Sequence, residues 1–87
     1  MKINVWTVVI THRHGQNTHV AASEDAAEEI VAQFCRDWWA DLKPKVPCAD
    51  FETRHGRKAL IERYFDLENR LIGEESADIE KHELELP

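Results

Sequence analysis

Lys2-Ile3-Asn4-Val5-Trp6-Thr7-Val8-Val9-Ile10-Thr11-His12-Arg13-His14, then Gly15-Gln16, then Asn17-Thr18-His19-Val20-Ala21-Ala22, reads as two strands joined by a tight reversal. The first run is dense in β-branched and aromatic residues, which suit a pleated, half-buried surface. Gly15, at the first position of a two-residue turn, supplies the positive φ that a type II′ reversal needs. This turn sets His14 opposite Asn17, Arg13 opposite Thr18 and His12 opposite His19, and a four-residue loop from His14 to Asn17 keeps the same pairing. Side chains alternate across a strand, so one face carries Ile3, Val5, Val9, Val20 and Ala22. The other carries Trp6, Val8, Ile10 and Ala21, and then His12, His14 and His19. Both faces of the first strand are apolar, the pattern of a central strand covered on two sides.

Beyond the hairpin, Ser23 is a natural helix N-cap, with Glu24 and Asp25 where the helix dipole favours negative charge. Ala27, Ile30, Val31, Phe34, Trp38 and Leu42 then recur at three- and four-residue steps and define an amphipathic helix. It ends near Leu42, because Lys43-Pro44 disfavours helical geometry before the proline. Trp39 falls at the margin of the stripe, placed to flank the core or to line a groove. After a loop with Pro44 and Pro47, a second helix follows, capped by Asp50 or Thr53 and weakened by Gly56 if it starts that early. Leu60, Ile61, Tyr64, Phe65 and Leu67 give its buried face; Glu68 projects from the centre of that face, so either the helix stops near Leu67 or Glu68 meets a partner. Gly73 is the expected stop.

Ser76 to Leu86 reads as a closing strand with a conflict, since Ile79 lies on the opposite parity from Leu84 and Leu86. A bulge or an early end near His82 resolves it. The expected fold is a single compact α+β domain over residues 1–87, β-β-α-α-β, with a three-stranded sheet of order 2-1-3 and two helices packed mainly on one face. With the helices over Ile3, Val5 and Val9, the Trp6, Val8 and Ile10 face is left as an exposed apolar patch of the kind that marks interaction sites.

With 87 residues the chain buries about 60–65% of its unfolded surface, enough for a modest core. Apolar content of 43% with three tryptophans argues against disorder. No run is long and apolar enough for a transmembrane helix, and the N-terminal stretch lacks a signal-peptide pattern, which leads to a cytoplasmic expectation with no membrane contact. The net charge of −6 is uneven: residues 1–65 hold nine acids and nine Lys/Arg, whereas residues 66–87 hold eight acids against Arg70 and Lys81. That balance argues against direct nucleic-acid binding and allows an acidic surface, or a mimic of nucleic acid, that meets a basic partner.

No catalytic or cofactor signature is present, and the chain reads as non-enzymatic with no cofactor. Cys35 and Cys48 lack metal-ligand spacing; Cys35 reads as a small buried hydrophobe, Cys48 as a loop thiol, and a bridge between them as the alternative. His12, His14 and His19 gather at one end of the hairpin, and three such ligands are able to hold Zn²⁺ with an open position. A metal-binding protein is therefore the alternative reading; solvated histidines near a turn are the simpler one. Arg54-His55-Gly56-Arg57-Lys58 is the only basic cluster, a solvated helix entry or a phosphate site built on helix-start amides.

The Val-rich strand running into His12-Arg13-His14-Gly15, Trp38-Trp39 closing the first helix, Glu62-Arg63-Tyr64-Phe65 in the second and the acidic Glu-Leu close together resemble small uncharacterised proteins of bacterial genomes, phages and mobile elements. The resemblance implies that origin and a β-β-α-α-β layout, and transfers no catalytic residue. Small acidic proteins of mobile elements include anti-CRISPR inhibitors, which occupy surfaces of larger complexes. The expected function is thus a small acidic protein-interaction module, an inhibitor of this kind, which binds a protein partner or forms a homodimer through Trp6, Val8, Ile10, His12, His14 and His19.

Overall fold

The computed structural model describes all 87 residues. Strand β1 (Lys2–His12) is followed by β2 (Gly15–Ala21), helix α1 (Glu24–Trp38), a 3₁₀ turn (Trp39–Leu42), helix α2 (Cys48–Leu71) and strand β3 (Ser76–Glu85). The sheet is antiparallel with order β2-β1-β3, so the α+β layout and the strand order expected from sequence are both present.

The hairpin turn lies two residues earlier than the glycine suggests. Arg13-His14 form the loop and His12 pairs with Gly15, which enters β2 at φ +139. The His14 amide donates to His12 Nδ1 at 3.2 Å, a local side-chain bond that ties the turn where no left-handed residue is needed. The slide keeps the parity of every residue but moves the rows, so His19 faces Val8 rather than His12.

The helices cover the face opposite to the one expected. Val8 and Ile10 are 0% and 2% exposed, and Trp6 packs partly against the same core. The flanking strands decide this. On this face the small Ala21 lies beside Trp6 and the small Ala77 beside Ile10, which lets α1 approach the sheet, whereas the other face of β3 carries Asp78 and Glu80 beside Val9 and Thr7. The core is completed by Ala27, Val31 and Cys35 of α1, Trp39 and Leu42 of the 3₁₀ turn, and Leu60 and Tyr64 of α2.

Ser23 caps α1 as its sequence indicates, its Oγ accepting from the Ala26 amide at 3.1 Å. The two tryptophans exchange roles. Trp39 is 4% exposed and its indole donates to the Val46 carbonyl at 2.9 Å, while Trp38 is 39% exposed. The change from α to 3₁₀ after Trp38 widens the angular step from about 100° to about 120° per residue and turns Trp39 inward. Neither Asp50 nor Thr53 caps α2. It starts at Cys48 behind Pro47 and breaks at Gly56 (φ 83, ψ 172), which makes two limbs of one helix.

Glu68 is fully buried and has the partner that its position demands: its Oε1 accepts from the amides of Glu74 at 2.8 Å and Glu75 at 3.1 Å. The Glu68 carbonyl also receives Ile72 and Gly73, so α2 stops at Gly73 (φ 75) as the sequence suggests. Strand β3 contains neither bulge nor early end; its register against β1 is regular from Ser76 to Glu85. The parity conflict is real and useful: Ile79 faces the helices opposite Val8, and Leu84 faces away from them opposite Ile3.

Candidate functional site

The uncovered face of the sheet is the candidate site. Its rows follow from the register: Ile3 with Leu84, Val5 with His82, Thr7 between Val20 and Glu80, and Val9 between Thr18 and Asp78. Val20 is 68% and Leu84 45% exposed, and none of Ile3, Val5, Val9, Val20 or Leu84 packs against the core. The result is a half-buried apolar stripe of Ile3, Val5 and Val9 along β1, with Thr18 and the exposed Val20 on the β2 side and two carboxylates on the β3 side.

One polar constellation crosses this face. Thr7 Oγ1 lies 3.0 Å from His82 Nε2, and Glu80 Oε2 lies 3.8 Å from the same nitrogen. A nucleophile–base–acid relay needs the hydroxyl and the carboxylate on opposite ring nitrogens. Here both address Nε2, which suits orientation of the ring rather than activation of the hydroxyl.

Of the residues singled out in the sequence, Val8 and Ile10 are in the core and present no surface, because Ala21 and Ala77 on the flanking strands admit α1 to their face. Trp6 is half-buried, with the Lys81 ammonium 5.7 Å from the ring centre. His12 stacks on Phe34 with centroids 6.2 Å apart, and His14 is exposed in the turn at the same spacing from His12. His19 is exposed four residues along the ladder from the His12 row, roughly 13 Å away at strand spacing. The three imidazoles do not converge, and no group of three His, Cys, Asp or Glu side chains is arranged to hold a metal ion. The geometric basis of the metal reading was the pairing of His12 with His19, which the register replaces.

Both cysteines are free. Burial pushes the Cys35 thiol up to about 12, with the nearby Cys48 and Glu75 adding to the effect. Cys48, the first residue of α2 rather than a loop thiol, is also raised, by burial first and Glu52 second. Tyr64 is raised above the ordinary phenol range by burial and by its 2.5 Å hydrogen bond to Glu75. These groups are held protonated, the opposite of what nucleophilic chemistry asks of a thiol.

The basic run at 54–58 is split by the Gly56 break. Arg57 turns back to α1 and meets Asp25 at 2.6 Å and Glu28 and Glu29 at 3.2 Å each, whereas Arg54 and His55 face a separate cavity. The acidic residues do not form one surface: Asp66 pairs with Arg63 and Arg70, Glu68 is buried, Glu75 holds Tyr64, and Glu83 lies 3.5 Å from Lys2. No helix is long and apolar enough to cross a membrane.

Sequence reasoning missed the uncovered face because it assigned the helices to the wrong side, yet the signal was present in the parity of Leu84 against Ile79. The Thr7–His82 contact depends on the β1–β3 register and had no local signature. No protein-family model matches the chain, and no curated protein or solved structure matches it either.

Proposed function

We propose that this chain is a non-enzymatic protein-interaction module that docks a larger protein through the uncovered sheet face. The carrying observation is the unpartnered apolar stripe of Ile3, Val5, Val9, Val20 and Leu84 on a central strand. Soluble chains seldom leave such a stripe without use. Asp78 and Glu80 border it with no Lys or Arg against them, Glu80 meeting only the His82 ring at 3.8 Å, which favours a partner with an apolar strip and a basic rim. A second copy would bring two further carboxylates into the same interface, so a different protein is the favoured partner over a homodimer. Occupation of a surface on a larger complex, in the manner of a phage or mobile-element inhibitor, is the mode of action that this reading assigns.

The test is differential capture. Wild-type chain is compared with a Val9→Glu variant and with a Leu71→Glu variant on the helical side, after equal unfolding midpoints are established. The reading expects one or more proteins held by wild type and Leu71→Glu and lost by Val9→Glu. Identical capture by all three, or sedimentation as a dimer that Val9→Glu dissociates, would replace it.

A further inference from the structure

A second feature lies on the helical side and shares no residue with the sheet face. The 3₁₀ turn, the 43–46 loop and both limbs of α2 enclose an open cavity of about 700 Å³. This volume is in the range of small-molecule sites. Its floor is apolar, made by Trp39, Leu42, Phe51 and Leu67, with Leu71 and Ile72 exposed at the mouth. The Trp39 indole is fixed by its bond to the Val46 carbonyl, so the floor is rigid where the deepest ring lies.

The rim is cationic in a chain of net charge −6. Five of the eleven Lys and Arg residues line this one cavity, namely Lys43, Lys45, Arg54, Arg63 and Arg70, against a single lining carboxylate, Asp41. Lys43, Lys45 and Arg54 form no ion pair, whereas Arg36 and Arg57 are each paired to acids of α1. Arg63 and Arg70 share only Asp66, at 3.3 and 3.5 Å. Lys43 also holds a left-handed backbone (φ 49, ψ 49) where glycine would be easier, and this conformation turns the loop along the rim.

From the charge complementarity and the apolar floor, we infer that the cavity binds a small anionic amphiphile, an apolar body that covers Trp39 and Phe51 with one carboxylate or phosphate head held by Lys45 and Arg54. Neither part suffices alone: an apolar floor without the rim would take neutral compounds, and an open cluster of solvated cations holds a free anion weakly. Together they select a molecule with both halves.

Dodecanoate and dodecyl phosphate below their micelle concentrations are titrated against the full chain, with dodecanol and acetate as the two half-ligands. Calorimetry gives affinity, and the Trp39 indole N–H resonance, assigned with a Trp39→Phe variant, gives location. Either amphiphile is expected to move the Trp39 signal and leave that of Trp6 in place, with the tighter of the two naming the head group. Dodecanol and acetate are expected to bind more weakly by about tenfold or more, as is dodecanoate to a Lys45→Ser/Arg54→Ser variant, whose unfolding midpoint is unchanged since neither residue has an internal partner. Equal binding of dodecanol, an unmoved Trp39 signal, or full affinity in the double variant overturns the proposal. So does binding of a peptide of sequence 83–87 where neither amphiphile binds, because the occupant is then a protein segment. Failure here leaves the sheet-face reading untouched, and the reverse holds too.

Discussion

Glu68 shows how one side chain fixes the path of a chain. Its carboxylate lies at the end of α2 with no exposure, and Oε1 collects the Glu74 and Glu75 amides that would otherwise face the core side of the turn into β3. Its other oxygen has no partner, so the side chain serves the two amides and takes part in no ion pair. Glu68→Leu keeps the apolar volume and orphans both donors, which should cost about 1–3 kcal/mol in urea denaturation. Glu68→Gln keeps the acceptor and should stay within about 1 kcal/mol of wild type. A leucine variant as stable as wild type would mean that water replaces the carboxylate and the turn needs no anchor. The two thiols give a second contrast at single residues. Cys35 is fully buried with its thiol pushed up to about 12, while Cys48 is partly exposed. A thiol reagent at neutral pH should modify Cys48 in the native protein and reach Cys35 only as fast as the protein unfolds. Modification of both at one rate would place Cys35 at the surface.

The break in α2 is what assigns the basic residues to separate tasks. Gly56 at φ 83, ψ 172 occupies a region essentially closed to other residues, and an added Cβ there would meet nothing within 4 Å. Gly56→Ala is therefore a pure backbone test: it should destabilise by about 1–3 kcal/mol although the space is open. A neutral effect would show that the limbs can straighten without loss. Before the break, Arg36 of α1 bonds to Glu52 and, at 2.6 Å, to Glu29, and clamps α1 to the first limb. The Arg36 guanidinium holds both carboxyls below the usual range, with burial working against it and Arg57 assisting. The folded state thus binds these protons more weakly than the unfolded chain. The stabilisation is complete above the ordinary glutamate value of about 4.3 and is lost as pH falls through the lower folded values. Wild type should lose stability below that pH more steeply than Arg36→Met, and parallel acid profiles would assign the clamp no role. The pieces legible in the sequence were those set by local chemistry: the Ser23 cap, the strand character of β1, the stop at Gly73 and, for Glu68, the choice between an early helix end and a partner. The pieces that were not legible depend on what lies beside an element. The turn position was settled by a histidine nitrogen rather than by the glycine, and the covered face by Ala21 and Ala77 on strands whose register no periodicity reports. The candidate site followed the same rule. Its apolar residues were named, as the face expected to be covered, and only the side of the sheet on which α1 lies makes them a surface.

The molecule is elongated, 52 × 29 × 16 Å with a radius of gyration of 14.5 Å, where a compact chain of this length would have about 12 Å. The excess comes from an arm. Strand β2 ends at Ala21 opposite Trp6, and the core begins at Trp6, so Lys2 to Val5 and His82 to Glu85 continue as a two-stranded ribbon past the helices. Its helix-side residues Asn4, Glu83 and Glu85 are exposed, and Lys2–Glu83 at 3.5 Å is a solvated pair of small worth. A two-stranded ribbon without a packed face is marginal in water. Yet this arm carries Ile3, Val5 and Leu84, the larger part of the apolar stripe, on the side away from the helices. Stability and binding area are therefore segregated: the helices hold one end of the sheet, and the face left for a partner extends over the end they do not hold. Hydrogen exchange should resolve this division. In the free protein the amides of Ile3 to Val5 should exchange far faster than those of Thr7 to Ile10, although all belong to one continuous strand. A ligand in the cavity floored by Trp39 should leave the arm rates unchanged. A protein seated on the open face should slow them toward those of the covered half, since the arm then gains the packing layer that it lacks alone. Uniform protection along β1 in the free chain would mean that the ribbon is stable without a partner, and would remove the link between its exposure and its use.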